Sequence, residues 1–467
     1  MPAFRHPFLP NAGEQQKAIL AKLGITSVEA LFKDIPSKFR FKGKMKIPEG
    51  LSEIEVRRHI EMLLEKNSTP YLSTSFLGGG VWPHMVPEVV HSVTSRTEFY
   101  TAYTPYQAEI SQGMLQALFE YQSLIAELVD LPVVNASMYD WASALGEAAL
   151  MTSRLTKRST FLIPEFIAPN RKAVLATYTA PANVSIQRVP SNPVQGKLDL
   201  ERLKEMMSSE IAGVYLENPA YLGYLEPDVD AIAEIVHDAG ALLVVGVDPI
   251  SLGIIRPPGD YDADVVIGEG QPLGNGVNFG GSLLGIFACK DDRRILRQMP
   301  GRLIGLTTTT EGERRGFVMT LQAREQHIRR ERATSNICSN QALCAVAAAA
   351  YLCTLGPTGL RRLGEQIMQL RHYMERQMSK LDGVLAPRFQ ATHFKEFVFS
   401  LEDRKERRLS ILALMKKISQ EKIFGGIPLN LEFPKLGESA LVCVTELHTK
   451  RDIDKYTASI QQALEVE

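Results

Sequence analysis

Between about residues 115 and 290, apolar runs alternate with amphipathic stretches. "GMLQALFEYQSLIAELVD" (113–130) has helical spacing, and "GEAALMTSRLTK" (146–157) reads as a helix that opens in a glycine-containing turn. "IAGVYLENP" (211–219), "ALLVVGVDP" (241–249), "ADVVIGEG" (263–270) and "GSLLGIFACK" (281–290) read as strands. "STFLIP" (159–164) and "AVLATYTA" (173–180) read as buried strand or strand-edge runs, and "DVDAIAEIVHDAG" (228–240) as an amphipathic helix. Strands without polar alternation, joined by helices, are what a parallel sheet covered on both faces requires. The expected fold class is α/β, with a large doubly wound domain over 61–330.

The flanks differ. Residues 1–60 read as a helical lead-in: "GEQQKAILAKLG" and "SVEALFKDI" have helical spacing, with Ser27 as N-cap of the second, and proline breaks follow. "SEIEVRRHIEMLLEKN" (52–67) opens on a Ser52/Glu55 capping box. Residues 331–467 combine a long linking helix with a small α+β C-terminal domain. In it, "FKEFVFSL" and "ALVCVTEL" read as strands, and "RRLSILALMKKISQEK" and "KRDIDKYTASIQQALE" as helices.

Composition narrows the function. A formal net charge of -1 gives no global field to recruit nucleic acid or an anionic membrane. Five cysteines without a CxxC pair suit reduced thiols in a cytoplasmic protein, not a disulfide scaffold or a metal centre. The N-terminal residues lack a signal-peptide core. "ALCAVAAAAYLC" (342–353) is short for a membrane span and reads as a buried helix.

Candidate chemistry centres on "ADVVIGEGQPLGNGVNFGGSLLGIFA" (263–288). Read as a dinucleotide loop, its spacing is GxGxxxG and no helix follows, so a pyrophosphate lacks its helix N-terminus. No GxxxxGK[ST] or HExxH motif is present. Asp248, at the tip of an apolar strand, stands where α/β sheets bind ligands. In fold-type-I pyridoxal-phosphate (PLP) enzymes an aspartate there pairs with the pyridinium nitrogen, and the anchoring lysine follows the next strand. Here that second position is Gln271, whose amide cannot form an imine. Lys290 lies a strand further on and would point to the wrong end of the sheet. "WASALGEAALM" (141–151) is the counterpart of a phosphate-holding turn, but Glu147, read as lying in its first helical turn, is unfavourable to a phosphate dianion.

Two loops complete the inventory. "SFLGGGVWP" (75–83) carries Gly78, Gly79 and Gly80, which imply mobility or close backbone approach. "TAYTPYQAEISQG" (101–113) gathers Tyr103, Tyr106, Gln107, Glu109 and Gln112 around a proline turn. Ordinary packing leads over a pocket wall for these loops, and the basic run 324–332 reads first as a solvated helix face and second as a subunit contact.

Together "FLGGGVWPH", "YTPYQAEISQGMLQALFEYQ", "DWASALGEAALM", "VDPISLGIIRPPGDYDADVVIGEGQPLGN", "FGGSLLGIFAC", "GRLIGLT" and "ATSNICSNQAL" resemble, end to end, the first-subunit chains of glycine dehydrogenase (decarboxylating), the P protein of the glycine cleavage system. The resemblance implies the PLP-dependent transferase fold type I (aspartate aminotransferase-like). It implies an α2β2 assembly in which PLP is bound on the second subunit and none is covalently bound to this chain. It implies glycine as substrate and the lipoylated H protein as acceptor of the aminomethyl group. Asp248 is then a vestigial pyridine-nitrogen aspartate, and no catalytic residue is anchored in this chain. Tyr103, Tyr106, Glu109 and Gly78–Gly80 become its expected contribution to the partner's pocket. Two alternatives stand beside this: a structural or regulatory pseudo-enzyme subunit, and a self-sufficient PLP enzyme that uses another lysine.

Overall fold

The computed structural model describes residues 8, 11–43, 45–68, 73–310, 312–320, 325–338, 340–402 and 409–465. The chain forms two units, Met1–Asn67 and Ser68–Glu467. The first holds helices Glu14–Lys22 and Glu53–Leu64, and none of its described residues is buried. The Ser52 backbone N–H donates to Glu55 Oε2 at 2.8 Å, so the capping box forms. "SVEALFKDI" yields only the single 3-10 segment Val28–Phe32.

The second unit is built on a seven-stranded sheet: β1 (Val133–Val134), β2 (Thr160–Pro164), β3 (Ser185–Val189), β4 (Ile211–Glu217), β5 (Leu242–Val247), β6 (Val265–Glu269) and β7 (Gly285–Cys289). Their order is β1-β7-β6-β5-β4-β2-β3. Strands β3, β2, β4, β5 and β6 run parallel, and β7 returns antiparallel to β6. Alternate residues of one strand enter different cores. Leu243, Val245 and Val247 pack on one face with helix Gln112–Val129, whereas Val244 faces Trp141 and Leu145 of helix Trp141–Thr156 on the other. That two-sided burial explains why β5 carries no polar alternation, each buried aliphatic side chain contributing about 1.5–3 kcal/mol.

"AVLATYTA" is not a strand. Residues Pro169–Thr179 form a helix whose buried side chains, Arg171, Leu175 and Thr179, recur at every fourth position. Pro169 at its first position favours this start.

The smaller lobe carries the antiparallel sheet β8 (Val384–Leu385), β9 (Glu396–Leu401), β10 (Ile427–Pro428) and β11 (Ser439–Cys443), ordered β8-β9-β11-β10. Helices Ile411–Ser419 and Lys450–Glu465 cover it. Helix Ala342–Met378 runs between the lobes and kinks at Gly356–Pro357; its "AVAAAAYL" stretch lies in the large-lobe core except Ala350, which is partly buried.

Segment 74–85 connects the two lobes a second time. Thr74–Ser75 pairs with Ile423–Phe424, and the Cys443 N–H donates to the Phe76 carbonyl at 2.9 Å. The segment then crosses to the C-terminal ends of the large-sheet strands, where the candidate site lies.

Candidate functional site

Three neighbouring strands end on buried carboxylates: Glu217 on β4, Asp248 just after β5, and Glu269 on β6. Each has its partners within the chain. Glu217 receives Arg171, with Nε 3.0 Å from Oε1 and Nη2 3.2 Å from Oε2, and the Tyr215 hydroxyl at 2.9 Å. The Arg171 guanidinium also stacks 4.0 Å from the Trp141 ring centroid. Gly246 of β5 makes room for this layer, because a Cβ there would lie 2.5 Å from the Tyr215 hydroxyl and 2.7 Å from Trp141 Cζ2. Glu269 accepts backbone N–H bonds from Gln271 at 3.0 Å, Leu284 at 2.8 Å and Trp141 at 3.3 Å. Burial nevertheless pushes its carboxyl up to about 7.

Gln271 is buried and fully engaged. Its Oε1 accepts the Trp82 backbone N–H at 3.1 Å, and its Nε2 donates to the Asn275 carbonyl at 2.6 Å. This amide thus holds segment 74–85 against the loop that follows β6. Lys290 lies at the opposite end of the sheet, paired with Asp262 at 2.7 Å and Asp264 at 2.8 Å, as its place beyond β7 requires.

Asp248 carries a cation of its own. Lys395, the residue before β9, places its Nζ 2.7 Å from Asp248 Oδ2. The same ammonium lies 2.9 Å from His84 Nε2 and 3.9 Å above the Trp82 ring. His84 Nδ1 in turn meets Glu446 Oε2 at 2.8 Å. Burial, reinforced by the Lys395 charge, pushes the His84 imidazole below its usual value, so the ring is neutral. The tautomer that satisfies both neighbours carries its proton on Nδ1 and accepts from Lys395 on Nε2. For Glu446, burial raises the carboxyl, but the His84 hydrogen bond and the Met85 N–H outweigh it and hold it low.

The glycine run fits the same enclosure. Gly79 N–H donates to Glu396 Oε1 at 2.6 Å, and a Cβ on Gly78 would lie 2.2 Å from that oxygen and 2.7 Å from Cys443 Cβ. Of the two readings, close backbone approach is the one realised. After Gly80, Trp82, Trp141, Arg171, Asp248, Lys395 and their neighbours have packed together, a cavity of about 10 Å³ remains. A small-molecule pocket needs roughly 300 Å³ or more. The residues present do not fit a bound PLP: the position expected to anchor it holds a glutamine, Asp248 is taken by Lys395, and almost no space is left.

The other expected site residues lie elsewhere. Tyr103, Tyr106 and Glu109 are exposed, the tyrosines by 78% and 53%. Tyr103 lines a cavity of about 230 Å³ with Thr104, Ser282, Arg302, Asn340 and Cys344. Gln112 fastens the loop, exchanging two 2.8 Å bonds with the Phe317 backbone. Tyr103 is thus brought near Ser282 from the Gln271 loop, whereas Gly78–Gly80 face the filled site. Glu147 lies beyond the first turn of its helix, which begins at Trp141 with Asp140 as N-cap (Oδ1 to Ser143 N, 2.7 Å), and it accepts from the Ser335 hydroxyl at 2.9 Å. Sequence reasoning missed Trp82, His84, Arg171, Lys395 and Glu446; the one available signal was a Lys-Glu pair opening the otherwise apolar β9.

A family model described as glycine cleavage system P-protein matches residues 6–460. The chain belongs to the glycine cleavage system P-protein family. Within that family it is 49% identical over 458 residues to the probable glycine dehydrogenase (decarboxylating) subunit 1 of Thermococcus onnurineus, covering 97% of this chain and 99% of the relative. A similarly named protein of Pyrococcus horikoshii is 47% identical, covering 98% and 99%. A crystal structure of glycine decarboxylase (P-protein) in inhibitor-bound form aligns with TM-score 0.87 at 38% identity, over 99% of this chain and 100% of that one. The sphingosine-1-phosphate lyase of Burkholderia pseudomallei shares the fold alone, at TM-score 0.66 and 12% identity over 92% and 94%. The chain has the P-protein fold, PLP-dependent transferase fold type I.

Proposed function

We propose that this chain is the non-anchoring subunit of a glycine cleavage P protein, working with a homologous, lysine-bearing second subunit. Together they decarboxylate glycine and transfer the aminomethyl group to the lipoyl group of an H protein, in a cytosolic α2β2 assembly. The observation that carries this is Gln271, whose amide is spent on Trp82 and Asn275 at the anchoring position. PLP, which supplies the electron sink for decarboxylation, belongs in this reading to the second subunit alone. The share of this chain is to complete that subunit's pocket. The exposed Tyr103 beside a cavity of about 230 Å³ supports a contribution across the interface. The filled site favours a second reading, a purely scaffolding subunit.

Purification of the chain alone, of the lysine-bearing chain alone, and of the two together tests the proposal. Bound PLP should follow the lysine-bearing chain, and CO2 release from glycine with lipoylated H protein should require both. Glycine decarboxylation by this chain alone would overturn the reading. Full activity of the lysine-bearing chain alone would also overturn it.

A further inference from the structure

We infer that the vestigial cofactor site is a self-filled joint, in which Lys395 gives Asp248 the cation that a pyridinium gives in PLP enzymes of this fold. This rests on the reading of positions 248 and 271 as former cofactor positions. The Lys395 ammonium has three donors, and the structure directs it to three neighbours: Asp248 Oδ2 at 2.7 Å, His84 Nε2 at 2.9 Å and the face of Trp82 at 3.9 Å. These neighbours come from separate parts of the chain: Asp248 from the end of a large-lobe strand, and Trp82 and His84 from segment 74–85. Lys395 itself immediately precedes a small-lobe strand, and Glu446 follows another. One buried charge therefore fastens the small lobe and the crossing segment to the large sheet.

Charge accounting points the same way. Asp248 meets Lys395 directly, Glu446 faces it through a neutral His84, and Glu396 lies beside it with its carboxyl pushed up to about 7 by burial. The second buried cation of the site, Arg171, is occupied by Glu217, Trp141 and Tyr221. Neither cation is left to receive an anionic ligand, and about 10 Å³ would not admit one. The site has been converted from a place that binds a cofactor to one that binds its own side chains.

The two tryptophans of the chain, Trp82 and Trp141, both lie in this joint, so selectively excited tryptophan emission reports on it. Lys395→Met, Asp248→Asn and the double variant should be compared by urea unfolding and by acrylamide quenching. Each single variant should unfold at lower urea and show quenching raised several-fold. The double, with both charges removed, should lose less than the sum of the singles and regain much of the shielding. Single variants that match the wild type, or strictly additive losses, would overturn the inference. If Lys395→Met gives no soluble protein, a soluble and shielded double variant supports the inference, and an insoluble double overturns it. Reconstitution with the lysine-bearing chain is a separate measurement, so failure here and failure of the functional reading are distinguishable.

Discussion

Lys395 Nζ lies 2.7 Å from Asp248 Oδ2, and both side chains are buried. The motif of strand tip and loop suggests the opposite, an aspartate stripped of its pyridinium and left with no cation, whose neutralisation would cost only about 1 kcal/mol. Breaking one side of a buried ion pair instead costs about 3–5 kcal/mol, because the remaining charge stays desolvated. Asp248→Asn is therefore expected to lower the free energy of unfolding by about 3 kcal/mol or more, read from urea titrations. A loss below about 1 kcal/mol would mean that the pair contributes nothing.

Restoring the anchor should not restore the cofactor. Gln271→Lys adds an amine beside Trp82, but the neighbouring cavity at Asp248 is only about 10 Å³ and Asp248 is already paired. The purified variant is expected to retain no PLP after dialysis and to release no CO2 from glycine. Measurable release would show that the missing lysine was the only thing lost.

Much of the large lobe was legible. Strands β4 to β6 are two-sided apolar runs, and Asp248 and Gln271 follow β5 and β6 where those runs end. Helix Pro169–Thr179 was read as strand because Val174, Thr177 and Tyr178 suit a sheet locally, while its burial at every fourth residue depends on what it packs against. The contents of the site were illegible for a different reason. Trp82, Arg171, Lys395 and Glu446 come from four distant segments, and only tertiary packing brings them to one strand end. Asp140 was within reach: an aspartate three residues before Ser143 is an N-cap signal, and it moves the helix start ahead of Glu147.

The glycine run should tolerate no Cβ. Gly78→Ala would set a methyl 2.2 Å from Glu396 Oε1 and 2.7 Å from Cys443 Cβ. Overpacking of this kind costs about 1–3 kcal/mol, and a matching drop in thermal midpoint is expected. Gly276→Ala, with nothing within 4 Å of the new methyl, serves as the silent control. Equal midpoints for the two variants would refute close approach as the reason for the run.

Glu396 makes a pH prediction with a definite sign. Burial raises its carboxyl from the usual range to about 7 in the folded chain. Its contribution to stability is thus fully present below the unfolded-state value near 4.5 and is lost as pH rises through about 7. Glu396→Gln keeps an acceptor for the Gly79 N–H and cannot ionise. Relative to wild type, the variant should gain stability between pH 5 and pH 8, by about 3 kcal/mol at most at ~1.4 kcal/mol per pH unit. A stability difference independent of pH would contradict the raised carboxyl.

The exposed tyrosines separate a contributing subunit from a scaffold. Tyr103→Phe and Tyr106→Phe remove only hydroxyls from side chains that are 78% and 53% exposed, so the fold should be unaffected. In the assembled enzyme, the glycine-dependent rate is expected to fall about tenfold or more, on the order of 1.4 kcal/mol of barrier. Unchanged rates in both variants would favour the scaffold.

The central claim is that this chain has filled its own cofactor site. The most direct measurement is a titration of the purified chain with PLP, followed through the emission of Trp82 and Trp141. No saturable change is expected, since both rings are packed against cations of the chain and no ligand can reach them. A saturable quench that Asp248→Asn abolishes would show PLP seated on that aspartate, and would contradict it.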